Sequence, residues 1–587
     1  SVCYQVPALM MEGITIVISP LISLMKDQVG TLNQMGVHAA FLNSSLTAGQ
    51  YYKALQLAKQ GRYKIIYVAP ERLETESFLD FALSEHVKIS FVAVDEAHCV
   101  SQWGQDFRPG YLKILDFLDR LPYRPVVGAY TATATAEVRE DILDILKLQN
   151  PYVETTGFDR GNLFFAVKKP VDKYKELVSY LKEKGCDTSG DSGIIYCLTR
   201  KSVEQVCYDL RNEGFSVTRY HAGLSDEERK ENQENFIYGK RQIMVATNAF
   251  GMGIDKPDVR FVIHYNMPKN MESYYQETGR AGRDGLPAEC ILLYAGQDVI
   301  TNQFFIENMA QESEDPETTA LIRQREEERL KKMTFYCFTH ECLRDYILRY
   351  FGEYGSNYCG NCSNCLSEFE TVDVTAAAKA ILGCVRECRQ RYGTTVILDT
   401  LHGANTAKIR QYRMDENSHY GELAKEPVYR LRQILNELQV REYLYVTADT
   451  YSIVRLLPKA AELLDEDGTM LMKMAKEEKR IPKAAKEKTK TKTSAAAKDL
   501  SNEEAAVFEK LRALRMELAK EHKVPPYIIF SDKTLIDMCH KMPHTQQEML
   551  DVNGVGENKF ARYGEAFIRC IRRTVDRFVR IFYGGFS

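Results

Sequence analysis

At 587 residues the chain is long enough for about four domains of roughly 150 residues each. With 44% hydrophobic and 27% charged residues it has ordinary globular composition, and no apolar run approaches the roughly 18 residues a membrane-spanning helix needs, which excludes such a helix. A net charge of −4 excludes a globally basic nucleic-acid binder, so any nucleic-acid surface must be local.

From residue 1 to about residue 300, short β-branched runs alternate with amphipathic stretches. Ile14–Ser19, Ile65–Ala69, Phe91–Val94, Val126–Tyr130, Gly193–Cys197, Gln242–Ala246 and Phe261–His264 read as strands of parallel sheets, with segments such as Tyr174–Lys184 as helical crossovers. Two such series imply two α/β domains. Residues 301–350 are helical and charged in pattern, and Cys and Gly punctuate 352–366. Helices then run to a hairpin of Glu442–Val446 and Tyr451–Leu456 around Thr447–Thr450, the outline of a winged helix. Lysines and arginines with Ala and Thr between them fill 466–498 without apolar period past Met474, which reads as a mobile linker. A final helical block regains the 3.6-residue period at Phe508, Leu511, Leu514 and Leu518. The fifteen cysteines are mostly scattered singly, which reads as reduced thiols of a cytosolic compartment.

Asp95-Glu96-Ala97-His98 places two carboxylates at the carboxyl end of a buried strand. In P-loop NTPases that position holds magnesium and orients the attacking water; a capping acid pair is the plainer reading. Gln276-Glu277-Thr278-Gly279-Arg280-Ala281-Gly282-Arg283-Asp284-Gly285 sets two arginines among three glycines, a pattern that lets guanidinium groups approach phosphate closely. A second glycine-rich turn, Ala249-Phe250-Gly251-Met252-Gly253-Ile254-Asp255, precedes it.

Together with Pro20–Gln28, the run Cys99–Pro109, Thr131-Ala132-Thr133-Ala134 and Tyr220-His221-Ala222-Gly223-Leu224, these elements resemble, in order, the motifs of RecQ-family DNA helicases of superfamily 2. The resemblance covers nearly the whole chain. It implies ATP with Mg²⁺ as cofactor, Ser1 and Asp95 on the metal, Glu96 on the water, and Gln276, Asp255, Arg280 and Arg283 around the nucleotide. Ser1 stands where the family's G-K-S phosphate loop ends, so its glycines and lysine would precede residue 1. The expectation is that the polypeptide 1–587 by itself hydrolyses ATP poorly, and that a longer coding sequence would restore the loop.

Cys359, Cys362 and Cys365 form C-x₂-C-x₂-C and need a fourth thiolate, for which Cys337 and Cys342 are both candidates. An iron–sulfur run would continue with x₃-C-P, whereas Leu366-Ser367-Glu368-Phe369 follows here, so structural Zn²⁺ is expected. By resemblance to the family's zinc-domain helix, Cys342 is the fourth ligand.

For DNA, the resemblance implies a sensing loop with Trp103, Phe107 and Arg108, and coupling through Thr131 and Thr133. In the block that resembles the RecQ winged helix, Arg410 and its neighbour Arg413 would approach duplex phosphates, and the hairpin at Thr447–Thr450 would separate strands, although Asp449 at its tip repels phosphate. The last block resembles an HRDC domain. There Tyr527 and Lys559, with Arg562, either form a single-strand site beside Asn553-Gly554-Val555-Gly556 or serve core packing and protein contacts.

The expected architecture is α/β: two RecA-like parallel-sheet motor domains (1–156 and 157–300), a zinc-binding helical subdomain (301–368), a winged helix (369–460), a basic linker (461–498), an all-α HRDC domain (499–575) and a tail (576–587). The expected function is ATP-dependent 3′→5′ unwinding of duplex DNA in recombination and repair. Single-stranded DNA and duplex junctions would be its partners, a single-strand-binding protein a further one, and the nucleoid its place, with no membrane. The competing reading is a non-catalytic DNA-binding module that uses the zinc, winged-helix and HRDC parts without ATP turnover.

Overall fold

The computed structural model describes residues 1–20, 22–101, 108–186, 191–251, 256–309, 316–353, 358–367, 369–447, 453–465, 467–475, 500–522 and 524–583. Its first sheet is five-stranded and wholly parallel. The strands β1 (Ile14–Ile18), β2 (Ala39–Leu42), β3 (Ile65–Val68), β4 (Ile89–Val94) and β5 (Val126–Ala129) lie in the order β2-β3-β1-β4-β5. All five residues of β1 are buried, as an apolar run covered by helices on both faces must be.

The second sheet has six parallel strands: β6 (Leu163–Lys168), β7 (Ser192–Tyr196), β8 (Val217–Tyr220), β9 (Ile243–Ala246), β10 (Val259–His264) and β11 (Ala288–Leu293), ordered β6-β11-β10-β7-β9-β8. The expected crossover forms over Lys173–Glu183, capped by the Asp172 carboxylate on the Lys175 amide. In open parallel sheets ligands gather beyond the carboxyl ends of the strands.

The helices Gly296–Met309, Pro316–Phe338 and Leu343–Tyr350 follow. They close over the second sheet: Leu330, Met333, Tyr336, Cys337, Leu343, Ile347 and Cys362 belong to the same buried cluster as Leu163, Phe165 and Tyr274. Cys362 makes a parallel bridge to Phe165, which extends the exposed edge of β6 by one rung.

Next comes a domain whose helices Thr375–Glu387, Thr394–His402 and Val428–Val440 bury Ile381, Leu398, Leu431 and Leu435 against the hairpin β13 (Leu444–Val446) and β14 (Val454–Leu456). Residues 448–452, including Asp449, lie outside the described residues. Two boundaries differ from expectation. The helix Ala460–Leu464 packs into this core, and β15 (Leu471–Ala475) pairs antiparallel with β12 (Phe369–Asp373), so the domain runs to Ala475 rather than 460. Met470 and Met472 are the buried anchors that a lysine-rich context concealed. Linker residues 476–499 lie outside the described residues.

The last domain is helical, with Phe508, Leu511, Phe530, Met538, Phe567 and Ile571 in its core. Its final helix spans Glu565–Tyr583, past the expected boundary at 575, because the apolar stripe of Phe567, Ile568 and Ile571 opens a run that stays helical.

Candidate active site and metal centre

The strand β4 delivers Asp95 and Glu96 to the end of the first sheet. The Asp95 amide donates to the Ile18 carbonyl of β1, and the Ala97 amide donates to the Tyr130 carbonyl beyond β5. These two bonds place the acids between neighbouring strand ends. Glu96 takes a left-handed backbone (φ 49°), a strained conformation for a non-glycine residue that turns the chain sharply into the short helix Ala97–Val100.

Tyr111 donates its hydroxyl to the Asp95 carbonyl at 2.9 Å, and the Tyr4 hydroxyl lies 3.5 Å from the carboxylate. Burial first, then the adjacent Glu96 carboxylate, pushes the Asp95 carboxyl up to about 6. A divalent cation beside it would restore the ionised form, so the chemistry of this acid pair fits magnesium. Ser1, exposed at the start of the helix Val2–Met10, is the other expected metal contact.

His98 extends the turn. Its Nδ1 lies 2.8 Å from the Thr131 hydroxyl and 3.4 Å from Glu96 Oε2. Thr131 in turn accepts the Thr133 amide. Thr133 is buried, and its hydroxyl accepts from Gln276 Nε2 at 2.8 Å across the cleft between the two sheets. Glu96, His98, Thr131, Thr133 and Gln276 therefore form one polar chain from the first domain to the second.

Gln276 sits on the helix Met271–Thr278, capped by the Asn270 side chain, and the glycine-rich turn with both arginines follows. Arg280 is buried and donates to the Gly251 carbonyl, whereas Arg283 is exposed. Asp255, Trp103 and Phe107 lie outside the described residues. Arg108 is half-buried and donates to the Pro20 carbonyl at 3.1 Å, which ties the end of the expected DNA-sensing loop to the first sheet.

The four expected thiols converge. The Sγ atoms of Cys342, Cys359, Cys362 and Cys365 all lie within 4.8 Å of one another, and Cys359 to Cys365 measures 3.9 Å. A tetrahedral zinc site with bonds of about 2.3 Å requires sulfur separations of about 3.8 Å. Backbone amides already point at the sulfurs: Asp345 at Cys342 (3.5 Å), Asn361 at Cys359 (3.3 Å) and Cys365 at Cys362 (3.4 Å). Such donors stabilise thiolates. Cys337, the other candidate, is buried in the core of the second motor, where desolvation pushes its thiol up. These residues fit Zn²⁺, with Cys342 as the fourth ligand.

Arg410 is exposed on the short helix Ala407–Gln411, which Thr406 caps. Tyr527 is half-buried on the helix Pro526–Ile529. Lys559 lies 5.7 Å from the centre of the Phe530 ring, and burial pulls its ammonium below the ordinary lysine range. Gly554 requires its left-handed backbone (φ 87°), and a Cβ there would sit 2.5 Å from the Thr534 hydroxyl.

Comparison with known proteins matches five family models in succession. They are DEAD/DEAH box helicase over residues 1–142, helicase conserved C-terminal domain over 172–285, RecQ zinc-binding over 296–366, RQC domain over 368–481 and HRDC domain over 504–571. The chain is 40% identical over 572 residues to the ATP-dependent DNA helicase RecQ of Bacillus subtilis, covering 97% of this chain and 91% of that protein. The chain belongs to the RecQ helicase family. RecQ of Haemophilus influenzae is 37% identical with 97% and 89% covered, and RecQ of Pasteurella multocida 36% identical with 98% and 87% covered. Within this RecQ chain the zinc-binding and RQC matches meet at residues 366–368, where the cysteine cluster ends and β12 begins.

Some residues that build the RecQ site escaped sequence reasoning. Nothing in the spacing of Tyr4 and Tyr111 announces their contact with Asp95. Arg160 and Asn162, which hold the arginine turn, lie some 120 positions away from it. No helix among the described residues is long and apolar enough to cross a membrane.

Proposed function

We propose that this protein is an ATP-driven DNA helicase that translocates 3′→5′ and opens duplex junctions. The observation that carries the reading is the polar chain from Glu96 to Gln276. It joins the acid turn of one motor domain to the arginine turn of the other, so a nucleotide between them would set their separation.

In this reading Asp95 and Ser1 hold the magnesium of the bound nucleotide, and Glu96 orients and deprotonates the attacking water. Magnesium, when bound, offsets charge on the phosphate oxygens. Arg283 reaches the γ-phosphate from the second domain. Arg280 exchanges the Gly251 carbonyl for phosphate as the cleft closes, while Gln276 and Asp255 contact the nucleotide from the same side. Thr131 and Thr133, bonded to His98 and Gln276, pass the state of the cleft to the loop with Trp103, Phe107 and Arg108. Arg410 holds duplex phosphate, and Tyr527 and Lys559 present a single-strand surface on the last domain. Zinc ligated by the four cysteines has no open position and serves structure.

A DNA substrate places the protein's work at the nucleoid and makes a single-strand-binding protein a fitting partner. The non-catalytic reading has no observation in its favour.

The test uses the chain with a phosphate loop joined ahead of Ser1. DNA-stimulated ATP turnover and displacement of a strand from a 3′-tailed but not a 5′-tailed duplex are expected. DNA binding without turnover would return the non-catalytic reading.

A further inference from the structure

The residues that would touch ATP do not explain what fixes the arginine turn in space. Residues 279–286 form an irregular turn between the helix Met271–Thr278 and β11, and Gly282 has a left-handed backbone (φ 54°). Irregular backbone keeps one geometry only when its polar groups are satisfied from outside. The Gly282 and Asp284 amides donate to the Val259 and Pro257 carbonyls, and the side-chain donors to the turn's carbonyls come from the segment that enters the second motor domain.

Arg160 donates to three carbonyls of the turn: Gly279 at 3.4 Å, Ala281 at 3.1 Å and Gly282 at 2.9 Å. Asn162 Nδ2 donates to Gly282 at 2.8 Å and Leu286 at 2.9 Å, while its own carbonyl accepts the Ala288 amide at 3.0 Å. A Cβ at Gly282 would stand 2.5 Å from that Nδ2, so glycine is what lets the amide approach.

The opposite side of the same segment is gripped by the zinc subdomain. Asn361, between the ligands Cys359 and Cys362, donates to the Gly161 and Leu163 carbonyls at 3.0 and 3.2 Å. Arg344, two residues after Cys342, pairs with Asp159 at 2.6 Å and also donates to Gly161 and Leu163. Phe158 stacks on Phe351 at 4.6 Å, its carbonyl accepts Tyr275 and its amide donates to Glu353. Residues 158–163 are thus a strap with the arginine turn on one side and the cysteine cluster on the other.

We propose that Arg160 and Asn162 are positioning residues for the catalytic arginines, and that the zinc subdomain braces them through Asn361 and Arg344. Neither residue touches nucleotide. Their side chains fix the carbonyls on both sides of Arg280, and a displacement of about 1 Å in such a group can cost on the order of 100-fold in rate. The chemistry assigned to the turn rests on the helicase reading; the strap itself does not.

Asn162→Asp keeps the shape but aims a carboxylate at two carbonyl oxygens, and Arg160→Lys keeps the charge but loses the fork. Hydrogen exchange by mass spectrometry on the full chain should show faster exchange over 279–286 in both variants, with one zinc per chain retained. Asn361→Ala should show the same from the other side. With a phosphate loop ahead of Ser1, kcat should fall on the order of 10–100-fold while KM for ATP stays within about twofold, and Asn162→Asp should be the more severe. Unchanged exchange over 279–286 overturns the proposal. So does faster exchange with unchanged kcat. If the unsubstituted protein turns over no ATP, the helicase reading has failed, and the exchange arm alone decides the strap.

Discussion

The two walls of the ATP cleft are built in different ways. Asp95 and Glu96 are fixed by their own sheet: the strand β4 ends, its neighbours β1 and β5 take the next backbone bonds, and a single left-handed residue makes the turn. The arginine turn takes less from its sheet: the Gly282 amide donates to the Val259 carbonyl at the start of β10, and Arg260 of that strand pairs with Asp284, but the carbonyls of the turn look elsewhere. They are held by side chains some 120 residues away, which are themselves held by a subdomain whose fold depends on four thiols. The first wall is a property of one sheet; the second is a property of an assembly. Damage far from the nucleotide should therefore reach Arg280 and Arg283 but not Asp95 and Glu96.

Removing zinc should have the largest effect. Four-thiolate sites contribute about 10–16 kcal/mol of apparent binding free energy, so chelation should melt the region 342–367. A zinc assay with thermal unfolding is expected to show one metal per chain and a marked loss of stability without it. Glu96→Gln comes next. With the phosphate loop present, turnover should fall about 10²–10⁴-fold with DNA affinity retained, because the wall it alters is self-supporting. Loss of DNA binding would mean that this wall is not independent.

The last domain repeats the remote clamp on a smaller scale. Arg515 reaches 2.8 Å from Asp532 and donates to the Phe530 carbonyl, also at 2.8 Å. Burial alone would raise the Asp532 carboxyl, but Arg515 and then Arg512 override it and hold the group at about 2. The folded value lies below the ordinary carboxylate value of about 3.9. The stability it contributes is thus complete above about pH 4 and is lost as pH falls through about 2. Asp532→Asn should cost about 3 kcal/mol at pH 7 by leaving Arg515 buried without its charge partner, and the loss should shrink in strong acid. Urea unfolding followed by exchange in the last domain would check it. Smallest of all, Gln276→Ala removes one hydrogen bond to Thr133, worth about 1 kcal/mol. It should weaken the DNA stimulation of turnover more than turnover without DNA.

This contrast also explains what could be read in the sequence. The acid turn, the ligands Cys359, Cys362 and Cys365 and the central strands were legible, because each is written in adjacent or closely spaced residues, whereas the fourth ligand, Cys342, was reached through the family resemblance. The edge strands β2 (Ala39–Leu42) and β8 (Val217–Tyr220) were not, since Ala39-Ala40 and Arg219 lack the β-branched, apolar signature of a buried strand. The strand β6 hid behind the polar segment Asp159–Asn162, and β11 opens on Ala288-Glu289, which has a helical composition. The winged-helix boundary failed for a similar reason: β15 takes its place by pairing with β12 about 100 residues earlier, while its own sequence runs into the lysines. Of the site, the closely spaced ligands were legible and their supports were not, because a hydrogen bond from Asn162 to Gly282 leaves no local pattern.

Hydrogen exchange on the full chain with and without its zinc measures directly whether the two walls are independent. Chelation should raise exchange over 342–367 and over 279–286 while 91–97 stays protected. Protection of 279–286 that survives loss of the metal, or an equal loss over 91–97, would contradict it.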